Sequence, residues 1–332
     1  MRKSLCLIII LLSLFALNIF CGSIHIPSSE VAEILKSAIC GEEADETFSY
    51  IVLQSRLPQA IVALLCGASL SVAGLLLQTA FRNPLAGPSV FGITSGSSLA
   101  VAIITLALGG GAAATGGQLT TVAAAFVGAI IVTGIILAAS TVVRSNVMLL
   151  IVGIMIGYIA SSAITLLNYF ASEDGIRNYL LWGMGDFSSV SIKQLPLFSL
   201  LSVVGIICSL LLTKPLNAML LGDRYAESLG VNIRSVRNKL LVTTGLLTAV
   251  STAYCGPIAF IGLAVPHIAR LLTHTDNHRR LLPATILCGA MVSLLCNLLT
   301  TLPPNGTLLP LNAITPIIGA PIIIYVIISK KR

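Results

Sequence analysis

LPQAIVALLCGASLSVAGLLL, residues 57–77, runs without a single charge and is bracketed by Arg56 on one side and Arg82 on the other. About 20 apolar residues in a helix cross the roughly 30 Å of bilayer hydrocarbon, so this stretch reads as a transmembrane span. Nine more apolar stretches follow the same reading, near residues 4–21, 90–108, 119–141, 147–170, 195–212, 240–257, 258–272, 281–302 and 308–328. The division between 240 and 272 is the softest of these boundaries. In lipid the backbone must satisfy its own N–H and C=O groups, which requires helices here, because no ten-residue alternation suggests a barrel. Composition agrees: 56% of the 332 residues are hydrophobic and 9% charged, with mean hydropathy +1.00. A soluble domain carries about a quarter charged residues. The expectation is an all-α integral membrane protein of about ten helices, one domain over residues 1–332.

Threading these spans places Arg2, Lys3, Arg82, Arg144, Lys214, Arg224, Arg234, Arg237, Lys239, Arg270, Arg279, Arg280, Lys330, Lys331 and Arg332 on one side. Only Lys36, Arg56, Arg177 and Lys193 fall on the other, together with Glu30, Glu33, Glu42, Glu43, Asp45, Glu46, Glu173, Asp174 and Asp186. The positive-inside rule makes the first side cytoplasmic, with both termini there, in a cytoplasmic (inner) membrane. The net charge of +7 then divides into +12 inside, from 15 basic and three acidic residues, and −5 outside, from four and nine. The basic balance is a matter of topology and excludes a nucleic-acid reading.

Phe20 before Cys21 argues against a lipoprotein cleavage site after the first apolar run, since such sites want small residues. The other cysteines, Cys6, Cys40, Cys66, Cys208, Cys255, Cys288 and Cys296, lie mostly within spans and lack metal-ligand spacing. Small residues four apart, Gly92 with Gly96 and Gly153 with Gly157, suit close helix packing. Almost no ionisable residue sits mid-span, whereas ion-coupled carriers generally keep buried acids, His or Lys for the coupling ion. The energy source is therefore expected outside the bilayer, and an ion-coupled secondary transporter or channel is the competing class. Gly222-Asp223-Arg224-Tyr225-Ala226-Glu227-Ser228-Leu229-Gly230-Val231, in the largest cytoplasmic loop, reads as a surface helix of about two turns closed by a glycine.

Ordered motifs run through nearly the whole chain: Arg56-Leu57-Pro58, Gly67-Ala68-Ser69-Leu70, Gly74, Gln78, Arg82-Asn83-Pro84-Leu85-Ala86-Gly87-Pro88 and Gly92-Ile93-Thr94-Ser95-Gly96. Trp182-Gly183-Met184-Gly185, the 222–230 loop, the run from Gly256-Pro257 to Pro266-His267-Ile268-Ala269-Arg270, and Gly319-Ala320-Pro321 continue them. Together they resemble the FecCD/BtuC-like permease family of iron-siderophore, haem and vitamin B12 ABC importers. That resemblance implies a type II importer bundle of ten helices per subunit, dimeric, with the pore at the subunit interface. It also implies an inverted repeat of helices two to five against seven to ten, which Gly87-Pro88 with Phe91-Gly92 and Gly256-Pro257 with Phe260 loosely echo.

Carried over by motif, the resemblance makes Gly222, Asp223, Arg224, Ala226, Glu227, Leu229 and Gly230 the coupling helix for a separate cytoplasmic ATPase. Asp223, Arg224 and Glu227 would make its polar contacts, and Leu229 would seat the helix. No G-x-x-x-x-G-K-[ST] loop occurs, so ATP and Mg belong to that partner and no cofactor to this chain. Asn83 and Leu85, with Thr141, Ser145 and Asn146 as a second constriction, would form the cytoplasmic gate. Arg56 would dock a periplasmic or lipid-anchored substrate-binding protein. Gln59, Leu309 and Leu311-Asn312 depart from the family pattern there, so Arg177 or Lys193 would stand in. The implied assembly has two ATPase copies, a second permease subunit, with a homodimer expected, and surrounding lipid. Ser95 and His267 raise a remote enzyme reading, an intramembrane serine hydrolase, but Ser95 is one place late for G-x-S-x-G.

Overall fold

The computed structural model describes residues 2–40, 46–107, 111–143, 145–301 and 309–329, with a few side chains, Asn146 among them, excepted. Arg144, Lys330, Lys331, Arg332, Glu42, Glu43 and Asp45 lie outside the described residues. The chain order is α1 (Arg2–Phe20), α2 (Ser28–Cys40) and α3 (Glu46–Ser49), which continues through a π-helical segment (Tyr50–Arg56) into α4 (Leu57–Phe81). Then come α5 (Ile93–Ala102) with a π-helical extension (Ile103–Ala107), α6 (Gly111–Val142), α7 (Asn146–Phe170), α8 (Glu173–Gly183) and α9 (Leu195–Leu211). The remainder are α10 (Thr213–Leu220), α11 (Asp223–Ser228), α12 (Ile233–Cys255), α13 (Ile261–Thr273), α14 (His278–Thr300) and α15 (Leu311–Ser329).

Each of the ten apolar stretches falls on one of these helices. Among the described residues four are long and apolar enough to cross a membrane: Thr47–Phe81, Gln118–Val142, Val147–Phe170 and His278–Thr300. A fifth crosses if α9 and α10, bent by 48°, count as one span, and Leu5–Phe20, Ile93–Ala107, Ile261–Thr273 and Leu311–Val326 are shorter apolar helices. The soft boundary near 257 resolves as a break at Gly256–Phe260. α12 starts at Ile233, seven residues ahead of its apolar core, taking Arg234, Arg237 and Lys239 into its first turns.

Local chemistry sets the ends. Asn232 and Asn277 accept from the Ser235 and Arg279 amides to start α12 and α14, and Ser172 accepts from Gly175 to start α8. Glu173 and Asp174 in the first turn of α8 also suit the positive end of the helix dipole. α12 stops where Gly256 takes φ 76 and Pro257 follows.

α4 is the axis of the bundle and packs against α9, α12, α13 and α14. Its small-residue face makes this possible: a Cβ on Gly67 would fall 2.3 Å from the Gly289 carbonyl oxygen of α14, and one on Gly74 would fall 1.6 Å from that of Gly262 in α13. Gly96 and Gly128 bring α5 and α6 together likewise, and Gly92 faces Gly153, so the small residues noted in the sequence serve packing.

The contacts repeat. α5 packs on α6 and α7 as α13 packs on α14 and α15, and α4 meets α14 as α12 meets α6. The two halves run in opposite senses. The α4–α5 break at Arg82–Gly92 lies at the end of the bundle that carries α10 and α11, and the α12–α13 break lies at the other end, beside α8 and the start of α15. Helix directions put the described members of the larger basic set at the α11 end.

Candidate functional site

At the α11 end a short loop-helix unit is held in a fixed shape by its glycines. Gly222 at φ 117 turns the chain into α11, and Gly230 at φ 82 turns it out. The amides of Gly230 and Val231 donate to the Glu227 and Ala226 carbonyls at 2.9 and 3.0 Å, the paired bonds of a Schellman closure. Ala226 is fully buried against the same core as Leu216 and Met219 of α10, while Arg224, Tyr225, Glu227 and Leu229 face outward. Two expectations change. Ala226 seats the helix on its own chain, and Leu229, 58% exposed, is left for another surface. Asp223 is engaged internally, its Oδ1 2.6 Å from Arg82 Nη2, so a partner meets it as an ion pair that is 38% exposed on the Asp223 side.

Arg82 is the C-cap of α4, in the left-handed region at φ 46 and ψ 35. The expected gate residues follow at once. Asn83 Oδ1 accepts from the Leu85 amide at 2.9 Å, a local turn that pushes Leu85 out to 48% exposure. His267 of α13, 4% exposed, donates from Nε2 to the Pro84 carbonyl at 2.9 Å. Gln78, one turn before Arg82, accepts from Arg270 at 2.6 Å and donates to the Leu263 carbonyl at 3.1 Å. Phe81 and Phe91 close the base of the loop with ring centroids 4.4 Å apart. The sequence raised His267 only beside Ser95 and held no sign of its partner, 183 residues away.

The residues expected to form a second constriction share this end. Thr141 is exposed, its hydroxyl donating to the Ala138 carbonyl at 2.7 Å, and Ser145 caps α7 by accepting from Met148. The Asn146 side chain lies outside the described residues. Next to Thr141, Ser140 reaches Asn238 at 3.4 Å, tying this turn to the basic start of α12.

The opposite end corrects the docking assignment. Arg56 is 5% exposed, and its guanidinium donates to the carbonyls of Ile19, Phe20 and Ile24. It therefore satisfies the orphan carbonyls at the C-terminus of α1 instead of facing outward. Gln59 also points inward, donating to Asn297 Oδ1, which belongs to an amide chain running on to Asn18. Arg177 on α8 and Lys193 before α9 are exposed at this end. Asn312, noted in the sequence only as a departure, locks the α12–α13 break. Its side chain donates to the Gly183 and Pro257 carbonyls and accepts from the Ala259 amide.

A cavity of about 580 Å³ opens at this end, with Gln118, Asn178, Asp186 and Asn297 on its polar wall. Between it and the Asn83 loop the bundle is filled, with Leu247, Ala249 and Val250 of α12 buried. α6 and α7 meanwhile carry long exposed apolar faces, including Ile131, Ile135, Met155, Ile159 and Leu166. Ser95 lies beside Gly157 of α7, and His267 is spent on Pro84, so the two do not form a catalytic pair.

Residues 7–329 match the FecCD transport family. The vitamin B12 import system permease protein BtuC of Yersinia enterocolitica is 36% identical over 287 residues, 86% of this chain and 84% of that protein. The protein of the same name from Salmonella arizonae is 37% identical over 284 residues, 85% and 84% of the two chains. A solved structure described as an inward-facing conformation of a metal-chelate type ABC transporter superposes with TM-score 0.83 at 26% identity, covering 98% of each chain.

Proposed function

This chain belongs to the FecCD transport family and is the multi-pass permease subunit of an ABC importer, and from that premise we propose that it moves a bulky metal chelate inward, cobalamin being the first solute to try. Siderophore and haem complexes are the other members of that solute class. The permeases of Yersinia and Salmonella named for vitamin B12 support cobalamin, and the metal-chelate transporter supports the class. As a transport subunit the chain performs no covalent chemistry on its cargo, and the ion-coupled carrier and hydrolase readings give way to family membership.

One observation carries the mechanism: α11 offers Arg224, Tyr225, Glu227 and Leu229 outward at the same end as the Asn83–Leu85 loop. A cytoplasmic ATPase that grips this face and closes on ATP displaces α11, and the loop beside it opens or reseals the passage. That end is then cytoplasmic, in keeping with its arginines and lysines, and the start of α1 and the end of α15 lie there. The filled core of the single chain and the exposed apolar faces of α6 and α7 support a passage between two copies, each with its own ATPase. At the outer end Arg177 and Lys193 are the charges offered to a substrate-binding protein. Exposed pairs contribute at most about 1 kcal/mol each, so they govern orientation and encounter rate more than affinity.

The test begins with isolation from the native membrane in the presence of a nucleotide analogue. The co-purifying complex is then reconstituted into vesicles and given radiolabelled cyanocobalamin, a ferric hydroxamate and haemin in turn, with the binding protein from the same source. ATP-dependent accumulation of cyanocobalamin confirms the proposal. Accumulation of one of the others alone moves the assignment within the class, and uptake of none of the three removes the metal-chelate reading.

A further inference from the structure

We propose that Arg82 is the positioning residue that transmits movement of the coupling helix to the gate loop, an inference that rests on the coupling and gate roles given above. Three observations converge on it. First, the Arg82 guanidinium bridges two elements, donating from Nη2 to Asp223 Oδ1 at 2.6 Å and to the Met219 carbonyl at 3.2 Å. It thus holds the first residue of α11 and the last turn of α10 at once. Second, its backbone occupies a left-handed cap position, where glycine or asparagine is the low-energy choice and an ordinary L-residue costs about 1 kcal/mol. An arginine in that place trades backbone ease for what its side chain reaches. Third, the residue that follows is Asn83. The loop is held by Arg82 and by the Asn83 amide on the Gln78 carbonyl at its start, by the His267 bond to Pro84, and by the buried Ala86, Gly87, Pro88 and Phe91 at its base.

This arrangement is a lever. The α13 side is stationary, because Arg270 and Leu263 of α13 are bonded to Gln78 of α4 at 2.6 and 3.1 Å, and His267 holds Pro84 of the loop against that fixed side at 2.9 Å. The α11 side moves with the ATPase. When α11 shifts, Asp223 draws the Arg82 side chain with it. The rotation is taken up at the φ and ψ of Arg82, and Asn83 and Leu85 swing about the Pro84–His267 bond. The ion pair is half exposed, with side-chain exposures of 49% and 38%, so it holds little static stability and its role is to couple motion.

The experiment uses the complete complex purified with its ATPase. The exposed Cys6, Cys21 and Cys40 and the half-buried Cys208 are replaced by serine, and Leu85→Cys serves as the sole accessible thiol. Its rate of maleimide labelling is compared with and without a non-hydrolysable ATP analogue, and a change of about tenfold is expected, the scale of a typical coupling free energy. In Arg82→Gly, which suits the left-handed cap and preserves the fold, the nucleotide-dependent change is expected to vanish while the ATPase still co-purifies. The exchanged pair Arg82→Asp with Asp223→Arg is expected to restore it, which a merely structural role for Arg82 would not do. A full nucleotide response retained in Arg82→Gly overturns the lever and leaves the gate intact. No response in the parent protein overturns the gate assignment itself, and the lever with it.

Discussion

Gly74→Ala tests the packing that positions the Asn83–Leu85 loop. The new methyl group would lie 1.6 Å from the Gly262 carbonyl oxygen, 2.5 Å from its carbon and 3.0 Å from its Cα. All three are backbone atoms, so no side chain can rotate away. The Gly262 oxygen is also unusual in its helix: Pro266, four residues on, has no N–H to bond to it, and the carbonyl turns its free face to the bare Cα of Gly74. Carbon and oxygen in contact sit about 3.3 Å apart, so α4 and α13 must separate by roughly 1.7 Å. Overpacking of this kind costs about 2 kcal/mol. The separation also stretches the Gln78–Leu263 and Gln78–Arg270 hydrogen bonds, each contributing about 1 kcal/mol. A loss of about 4 kcal/mol follows. Gly134→Ala is the control, because a Cβ there meets nothing within 4 Å and removing a helical glycine is neutral or stabilising by up to about 1 kcal/mol. Both are measured by reversible SDS-driven unfolding in mixed micelles. A Gly74→Ala midpoint indistinguishable from that of Gly134→Ala would refute the close-contact argument.

Three further outcomes are expected. Arg56→Met strips the donor from the Ile19 and Phe20 carbonyls that end α1 and from the Ile24 carbonyl beyond it, and should destabilise the same unfolding transition by about 2–3 kcal/mol, whereas Arg177→Glu with Lys193→Glu leaves it unmoved. The double variant instead slows association with the binding protein by about tenfold at low salt, an effect that fades above about 0.5 M, and stopped-flow association rates check both halves. Asn312→Ala, which abolishes three bonds at the α12–α13 break, should cost about 2 kcal/mol, read by thermal aggregation in detergent; Asn312→Asp, which keeps the acceptor for Ala259 but loses both donations, should fall no less far. Leu229→Asp, at an exposed position, should leave the unfolding midpoint within about 0.5 kcal/mol of wild type yet abolish co-purification of the ATPase, and a retained ATPase would place the contact elsewhere on α11.

Each of the ten apolar stretches falls on a helix because the cost of placing a charge or a bare peptide group in hydrocarbon is paid residue by residue along the chain. The same local logic gave the glycine-closed helix at 222–230, since a left-handed closure favours glycine wherever it occurs. It overlooked α2 and α8, which are short and amphipathic, and it began α12 at its apolar core, because Arg234, Arg237 and Lys239 read as loop although a helix carries them readily into water.

What the sequence alone determined is therefore the all-helical class, the separation of charge between two ends and, by resemblance, the family. All of these rest on the identity of residues near one another in the chain. What only the tertiary structure decided is the job of each polar group. Arg56 left the docking surface for the end of α1, Asp223 took Arg82 as an internal partner, and His267 found Pro84. A hydrogen bond forms or fails within a few tenths of an ångström, and its partners here lie 37, 141 and 183 positions apart. Whether they meet is set by how closely glycines such as Gly74 let the helices approach, which no reading of composition or spacing along the chain contains.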